Sequence, residues 1–229
     1  MQDPPHADTL RFAAVFAMDR KDTKEHLEDL RLPPAVVGRA YRELATVHRC
    51  IGNTSVILDR LKAHPTPVST VLDIGCGYGA LLEEIQRRLS VNVIGVDLRV
   101  PPQPGPVPIV TRDATRDPLP VADVAISVLV AHHLSPSEIV RLIRNVSLTS
   151  RRLILPDLVR HRFPLLLFRA FVCPLVSEIT ACDGVTSFRR AYTAQELGAI
   201  VAAAVNGSRA RVVHSVSPFY IRQVVDISW

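Results

Sequence analysis

The stretch VLDIGCGYG at residues 71–79 decides the fold. An apolar run over residues 68–74 reads as a short strand ending at Gly75, and residues 80–89 read as a helix with Leu81, Leu82, Ile85 and Leu89 on one face. Glycines in the joining loop let the backbone pass close to a ligand at the carboxyl edge of a sheet. Nicotinamide and flavin folds use such a loop too, so the neighbouring residues must discriminate. The spacing here is G-x-G-x-G rather than G-x-G-x-x-G, and Asp73 stands two places before the first glycine. A carboxylate there would repel a pyrophosphate, which argues against a dinucleotide and a nicotinamide oxidoreductase. It favours a ligand with a cationic group beside the turn.

Working outward, further apolar runs read as strands at 91–98, 109–111, 121–128 and 152–155, with a helix at 139–146. Thr193 with Glu196 three places on is a capping box that opens another helix. Two closing strands, 210–216 and 220–227, are joined so tightly that they must pair antiparallel. Strands that are nearly unbroken apolar runs alternating with helices mean an α/β fold, with a mostly parallel sheet covered on both faces. Upstream, apolar residues recur at helical spacing from Val36 to Leu61 with a break at Gly52-Asn53, and Pro34 suits a first helical turn. We expect a loose N-terminal segment over 1–20, an N-terminal helical cap over 21–66 and the core over 67–229, with a lid insert at 159–192. A loop dense in Pro101, Pro102, Pro104, Pro106 and Pro108 cannot be helical.

Composition narrows the function. Hydrophobic residues make up 48% of the 229 and charged residues 21%, which excludes a disordered chain. Net charge is +5, but the arginines are dispersed, without a long basic run or interleaved aromatics, so nucleic acid is not expected as a partner. The four cysteines show no CxxC and no metal-ligand spacing; we read free thiols in a reducing compartment and expect no metal. No apolar run reaches the ~18 residues of a membrane span, and no secretory leader opens the chain. A cytoplasmic protein without membrane insertion is the expectation.

Asp97 ends the second strand, where an acid can take both hydroxyls of a ribose, and Asp113 after the third could accept from an adenine amino group. Three acids at three successive strand ends frame a nucleoside-sized crevice. Together, VLDIGCGYG, the Asp97 strand and the Asp113-Ala114 pair resemble the class I S-adenosylmethionine-dependent methyltransferases over residues 68–228. The resemblance implies a Rossmann-like seven-stranded sheet, mostly parallel with an antiparallel last strand. It implies that Asp73 and the loop of Gly75, Cys76, Gly77, Tyr78 and Gly79 hold the amino-acid part of S-adenosylmethionine. Asp97 with Leu98 would hold the ribose, Asp113 with Ala114 the adenine, and Ser127 with Val128 would line the sulfonium.

Narrower motifs (Tyr41-Arg42-Glu43-Leu44 through Ile51-Gly52-Asn53, His132-His133-Leu134, Asp157-Leu158-Val159-Arg160, and residues 183–193) resemble small bacterial O-methyltransferases of polyketide and quinone pathways. That family has Asn and a Gly-Gly pair where this chain has His48 and Gly52-Asn53. The acceptor implied is a small hydrophobic aromatic or polyketide-type molecule methylated on oxygen. The alternatives are C- or N-methylation of a quinone-like or other small metabolite, or a cofactor-binding module without transfer.

Methyl transfer is an in-line displacement, so the protein mainly aligns the acceptor and excludes water. A phenol also gains from a base, and His132 or His133, following the fourth strand, is a candidate, with His133 slightly preferred. Asp157 is a third catalytic candidate, as a base or an acceptor-orienting group, unless it pairs with Arg160 or Arg162 to fix the lid. The apolar insert at 163–176 would put Phe163, Leu167 and Phe171 over the cofactor, unless it covers the sheet edge or makes a homodimer. Arg190 could bind an acceptor carboxylate, and Tyr192 could hydrogen-bond the acceptor.

Overall fold

The structure, a computed structural model, describes residues 18–29, 31–99 and 105–229. Most of the expected loose segment, and Pro101, Pro102 and Pro104 of the proline loop, lie outside the described residues. The helices are α1 (Pro34–Cys50), α2 (Asn53–Lys62), α3 (Ala80–Leu89), α4 (Pro136–Ser147), α5 (Arg162–Phe171), α6 (Glu178–Arg190) and α7 (Ala194–Val205). The strands are β1 (Thr70–Ile74), β2 (Asn92–Asp97), β3 (Ile109–Thr111), β4 (Ala122–Ile126), β5 (Ser150–Asp157), β6 (Arg211–Val216) and β7 (Gln223–Ser228).

These strands form one sheet in the order β3-β2-β1-β4-β5-β7-β6. The first five run parallel, and β7 lies antiparallel between β5 and β6. The chain crosses from the β1–β2–β3 half to the β4–β5 half between β1 and β4, the switch point where the ends of an α/β sheet leave a crevice. Both faces are covered, as unbroken apolar strands require. On one face Ile139, Leu142, Ile143 and Val146 of α4 and Leu197 and Val201 of α7 pack on Leu72, Ala125, Leu153 and Val225. On the other, Ile57, Leu58 and Leu61 of α2 and Leu82 and Ile85 of α3 pack on Val71, Val124 and Ile154. Thus α2, expected as part of a cap, belongs to the layer that buries the sheet.

Local sequence explains most helix ends. Ser135 and Glu138 make a capping box at α4, and Thr193 and Glu196 make the expected one at α7. The helix α6 escaped the sequence reading because Thr180, Cys182, Asp183, Gly184, Thr186 and Ser187 are weak helix formers. Tertiary contacts override that preference. The Asp183 carboxylate accepts from the backbone N–H groups of His26 and Leu27, at 2.7 and 2.9 Å. Gly184 admits Phe168: a Cβ there would sit 2.1 Å from the ring.

A buried ion triad ties the sheet edge to α2. Asp226 on β7 accepts from Arg152 at 2.7 and 2.6 Å and from Arg60 at 2.7 Å. Burial opposes its charge, but Arg152 and Arg60 outweigh burial and hold the carboxyl below its ordinary range. Its stabilisation is therefore present at neutral pH and lost as pH falls through that lowered value. Asp226→Ala should cost roughly 1.5–3 kcal/mol at pH 7 by urea denaturation, with the deficit shrinking in acid.

Candidate active site

The loop after β1 bends through three left-handed glycines, Gly75, Gly77 and Gly79, at φ 74°, 55° and 81°. All three also meet neighbours that leave no room for a side chain, Val107 standing 2.6 Å from a Cβ on Gly79. A Cβ on Gly75 would lie 2.4 Å from Val130 Cγ2, and one on Gly77 would lie 2.7 Å from the Tyr41 ring. Gly75→Ala should therefore lose roughly 1–2 kcal/mol from backbone strain alone, before the clash is counted. Calorimetric melting would show this, and an unchanged Tm would mean the loop can relax.

The acids sit around this loop. Asp73 is 3% exposed and accepts no hydrogen bond from any described residue. Burial, and next the Asp97 charge, push its pKa well above the usual carboxylate range. Such a group fits a cationic ligand atom and little else. Asp97 accepts from the Gly77 N–H at 2.7 Å and the Arg99 N–H at 2.9 Å, so it fixes the loop while keeping lone pairs free. Asp113 accepts from the Thr115 N–H and hydroxyl at 2.9 and 2.7 Å through Oδ1, leaving Oδ2 turned to Arg116. These groups line one side of a cavity of about 1350 Å³.

The other end of the cavity is built by the turn after β4 and the segment before α1. His132 is buried; its ring Nδ1 lies 2.7 Å from Asp157 Oδ1, and its backbone N–H donates to Asp157 Oδ2 at 2.9 Å. Its Nε2 faces Glu25 Oε1 at 3.7 Å. His133 Nδ1 lies 3.0 Å from Glu28, which Arg190 also holds, and His133 Nε2 faces Glu25 Oε2 at 3.8 Å. Burial opposes a charge on His132, yet Asp157 and then Glu25 overcome it and lift its pKa to about 9. For His48, in the same wall, burial, with His132 next, lowers it to about 4. Tyr41 of α1 stacks on Tyr78 with centroids 4.4 Å apart and closes the cavity over the glycine loop.

A methyltransferase domain family matches residues 72–149, which hold β1 through α4 and both strand-end turns. In structure, the chain is similar to the plantazolicin methyltransferase BpumL in complex with a pentazolic desmethylPZN analog and SAH. The TM-score is 0.62 at 13% identity, over 82% of this chain and 90% of that one. The methyltransferase BamL, also with SAH, gives 0.64 at 12% over 85% and 89%. The small RNA methyltransferase HEN1 gives 0.58 at 17% over 78% of this chain and 25% of that one. No curated protein matches in sequence. Residues 72–149 are similar to a methyltransferase domain, and the chain shares its fold with solved methyltransferases.

The structure brings together Asp73, Gly75, Cys76, Gly77, Tyr78, Asp97, Leu98, Asp113, Ala114 and Val128 in the cavity wall. Gly79 instead caps α3, and Ser127 is fully buried, its hydroxyl without a hydrogen-bond partner among the described residues. His132, His133, Leu167 and Phe171 line the wall, and Asp157 stands behind it. Three expected acceptor groups do not reach it. Phe163 packs on Phe219 with centroids 5.8 Å apart. Arg190 is buried against Glu28, and the Tyr192 hydroxyl donates to Leu134 O at 2.7 Å beneath Arg20. Nor does Asp157 pair with Arg160, which binds Glu196 and the carbonyls of Met18 and Ala191. His132, proposed from sequence as a base, holds its own proton at neutral pH between two carboxylates and is a donor there.

The sequence reading missed Glu25 and Glu28, which lie on and beside a single 3-10 turn (His26–Glu28), too short to show a period. The E-x-x-E spacing was their one visible signal. His48 was visible as the departure from Asn in the narrower family.

Proposed function

We propose that the protein moves a methyl group from S-adenosylmethionine to the oxygen of a small hydrophobic aromatic or polyketide-type acceptor enclosed in this cavity. The carrying observation is the cavity itself. One wall offers the glycine loop with Asp73, which has no hydrogen-bond partner among the described residues, and another offers Leu167, Phe168 and Phe171 of the lid with one compact polar cluster. Asp73 takes the cofactor's ammonium group, Asp97 its ribose hydroxyls and Asp113 its adenine amino group. The cofactor supplies an electrophilic methyl on a good leaving group; the C–S bond breaks as the new C–O bond forms, and the sulfide leaves neutral. What the protein adds is alignment and exclusion of water. A phenol needs only modest help to ionise. Glu25 and His133 are the polar groups placed at the acceptor end to take its proton.

Turnover with a panel of phenolic and polyketide-like acceptors, the product read by mass spectrometry and NMR, tests this. An O-methyl product supports the reading. A methyl on carbon or nitrogen, or turnover only with peptide or RNA, overturns it. Phe171→Ala opens the lid mouth, where Phe171 is 68% exposed, and should raise the acceptor's KM several-fold with cofactor affinity unchanged. A matching loss of cofactor affinity would move Phe171 out of the acceptor wall.

A further inference from the structure

Glu25, His132 and His133 present one ligand atom each within 4.8 Å of one another. Their facing separations, 3.7 Å from His132 Nε2 and 3.8 Å from His133 Nε2 to the two Glu25 oxygens, are too long for hydrogen bonds. They are within a few tenths of an ångström of the ~3.4 Å between ligands at ~2.1 Å from a tetrahedral ion. The outer nitrogen of each ring is already held by a carboxylate: His132 Nδ1 by Asp157 at 2.7 Å, His133 Nδ1 by Glu28 at 3.0 Å. A carboxylate on the outer nitrogen fixes the ring and turns the inner nitrogen's lone pair toward a metal. Glu25 is itself oriented, accepting from the Ser187 hydroxyl at 2.6 Å. His132, Glu25 and Asp157 are buried, and the carboxylates of Glu25, Glu28 and Asp157 meet two imidazoles, with Arg190 shared between Glu28 and Asp22. The cluster is short of positive charge.

We infer that Glu25, His132 and His133 bind a divalent first-row metal cation whose open positions face the cavity and receive the acceptor's oxygen. Two imidazoles and one carboxylate suit Zn²⁺ or its first-row neighbours better than Mg²⁺, which prefers all-oxygen shells. The spacing of the cysteines argued against a metal, and they take no part here; the ligands come from a turn after β4 and a segment more than a hundred residues earlier. An acceptor hydroxyl on the ion would give up its proton to water more readily than the free phenol does, and the ion would hold the resulting oxyanion toward the methyl group. This deepens the reading of the acceptor site and rests on it for the role of the ion, though not for its binding.

The test is calorimetric titration of the full chain, stripped with chelator, by Zn²⁺, with Co²⁺ as a spectroscopic probe. One ion should bind per chain, with Co²⁺ giving the ligand-field absorption of nitrogen and oxygen ligands. Asp157→Asn should weaken Zn²⁺ binding by roughly 10–100-fold through the orientation of His132, and Glu25→Gln and His133→Gln at least as much. Circular dichroism and cofactor binding, governed by the far wall, report whether each variant is folded. Absence of stoichiometric binding to the folded parent overturns the inference, as does binding that survives a folded Glu25→Gln, His133→Gln double variant. The titration reads the ion without any acceptor, so failure of the acceptor reading shows separately, as no O-methyl product with or without Zn²⁺.

Discussion

Asp73→Asn should lower affinity for S-adenosylmethionine by about ten- to a hundred-fold, the loss of a charge-assisted contact to a cationic group. The same variant should leave the cofactor-free protein more stable than the parent at neutral pH. The two effects have one cause. Asp73 is buried at the end of β1, receives no donor from the described residues and faces the Asp97 carboxylate, so the fold disfavours its charge. Its folded pKa lies above the unfolded one; the unfavourable contribution therefore appears as pH rises above the unfolded value, and grows until the folded value is passed. Asparagine has no charge to disfavour. The stability gap between variant and parent should open with rising pH and close in acid, reaching roughly 1–3 kcal/mol, the cost of one unsatisfied buried group. Urea denaturation across pH reads this gap, and calorimetry reads the affinity. An unchanged Kd would remove Asp73 from the ammonium site. A destabilised variant would mean that Asp73 has a donor the geometry does not show.

Periodic apolar patterning explains why the fold was legible. The runs that became β1, β2, β4 and β5 are buried on both faces, and such strands announce themselves without tertiary knowledge. The glycine loop was legible because backbone geometry demands glycine at φ 74° and 55°. The acceptor end was not. Asp183 and Glu43 hold α6 through contacts with residues more than 130 positions away, and no local preference foretells a helix there. Arg190 and Tyr192 looked like substrate contacts because polar groups before a helix commonly face solvent or ligand. Here they satisfy Glu28 and the Leu134 carbonyl within the protein. His132-His133 was visible as a pair, but its chemistry depends on Glu25, Glu28 and Asp157, which only folding brings to it.

Asp157→Ala should be the most damaging single change to stability, at roughly 3–5 kcal/mol, the cost of removing one partner of a buried charge pair. Asp157 ends β5 and takes three donors: the backbone N–H groups of His132 and Leu158 at 2.9 and 2.6 Å, and His132 Nδ1 at 2.7 Å. Alanine leaves all three unpaired in a place water does not reach, one of them on a ring that carries a proton at neutral pH. Asparagine keeps one acceptor oxygen and the shape, so it should cost less, and the difference isolates the charge. Asp157 does not line the cavity, so any effect of Asp157→Asn on methyl transfer passes through the groups it holds, His132 and the Leu158 backbone. The folded asparagine variant should therefore lose kcat on the acceptor while binding S-adenosylmethionine as the parent does, since Asp73 and Asp97 stand at the opposite end of the cavity. Denaturation of the alanine variant within about 1 kcal/mol of the parent, an ordinary single-substitution effect, would show that the His132–Asp157 pair is not what holds the turn. Loss of cofactor affinity in the asparagine variant would show that the two ends of the cavity are not independent.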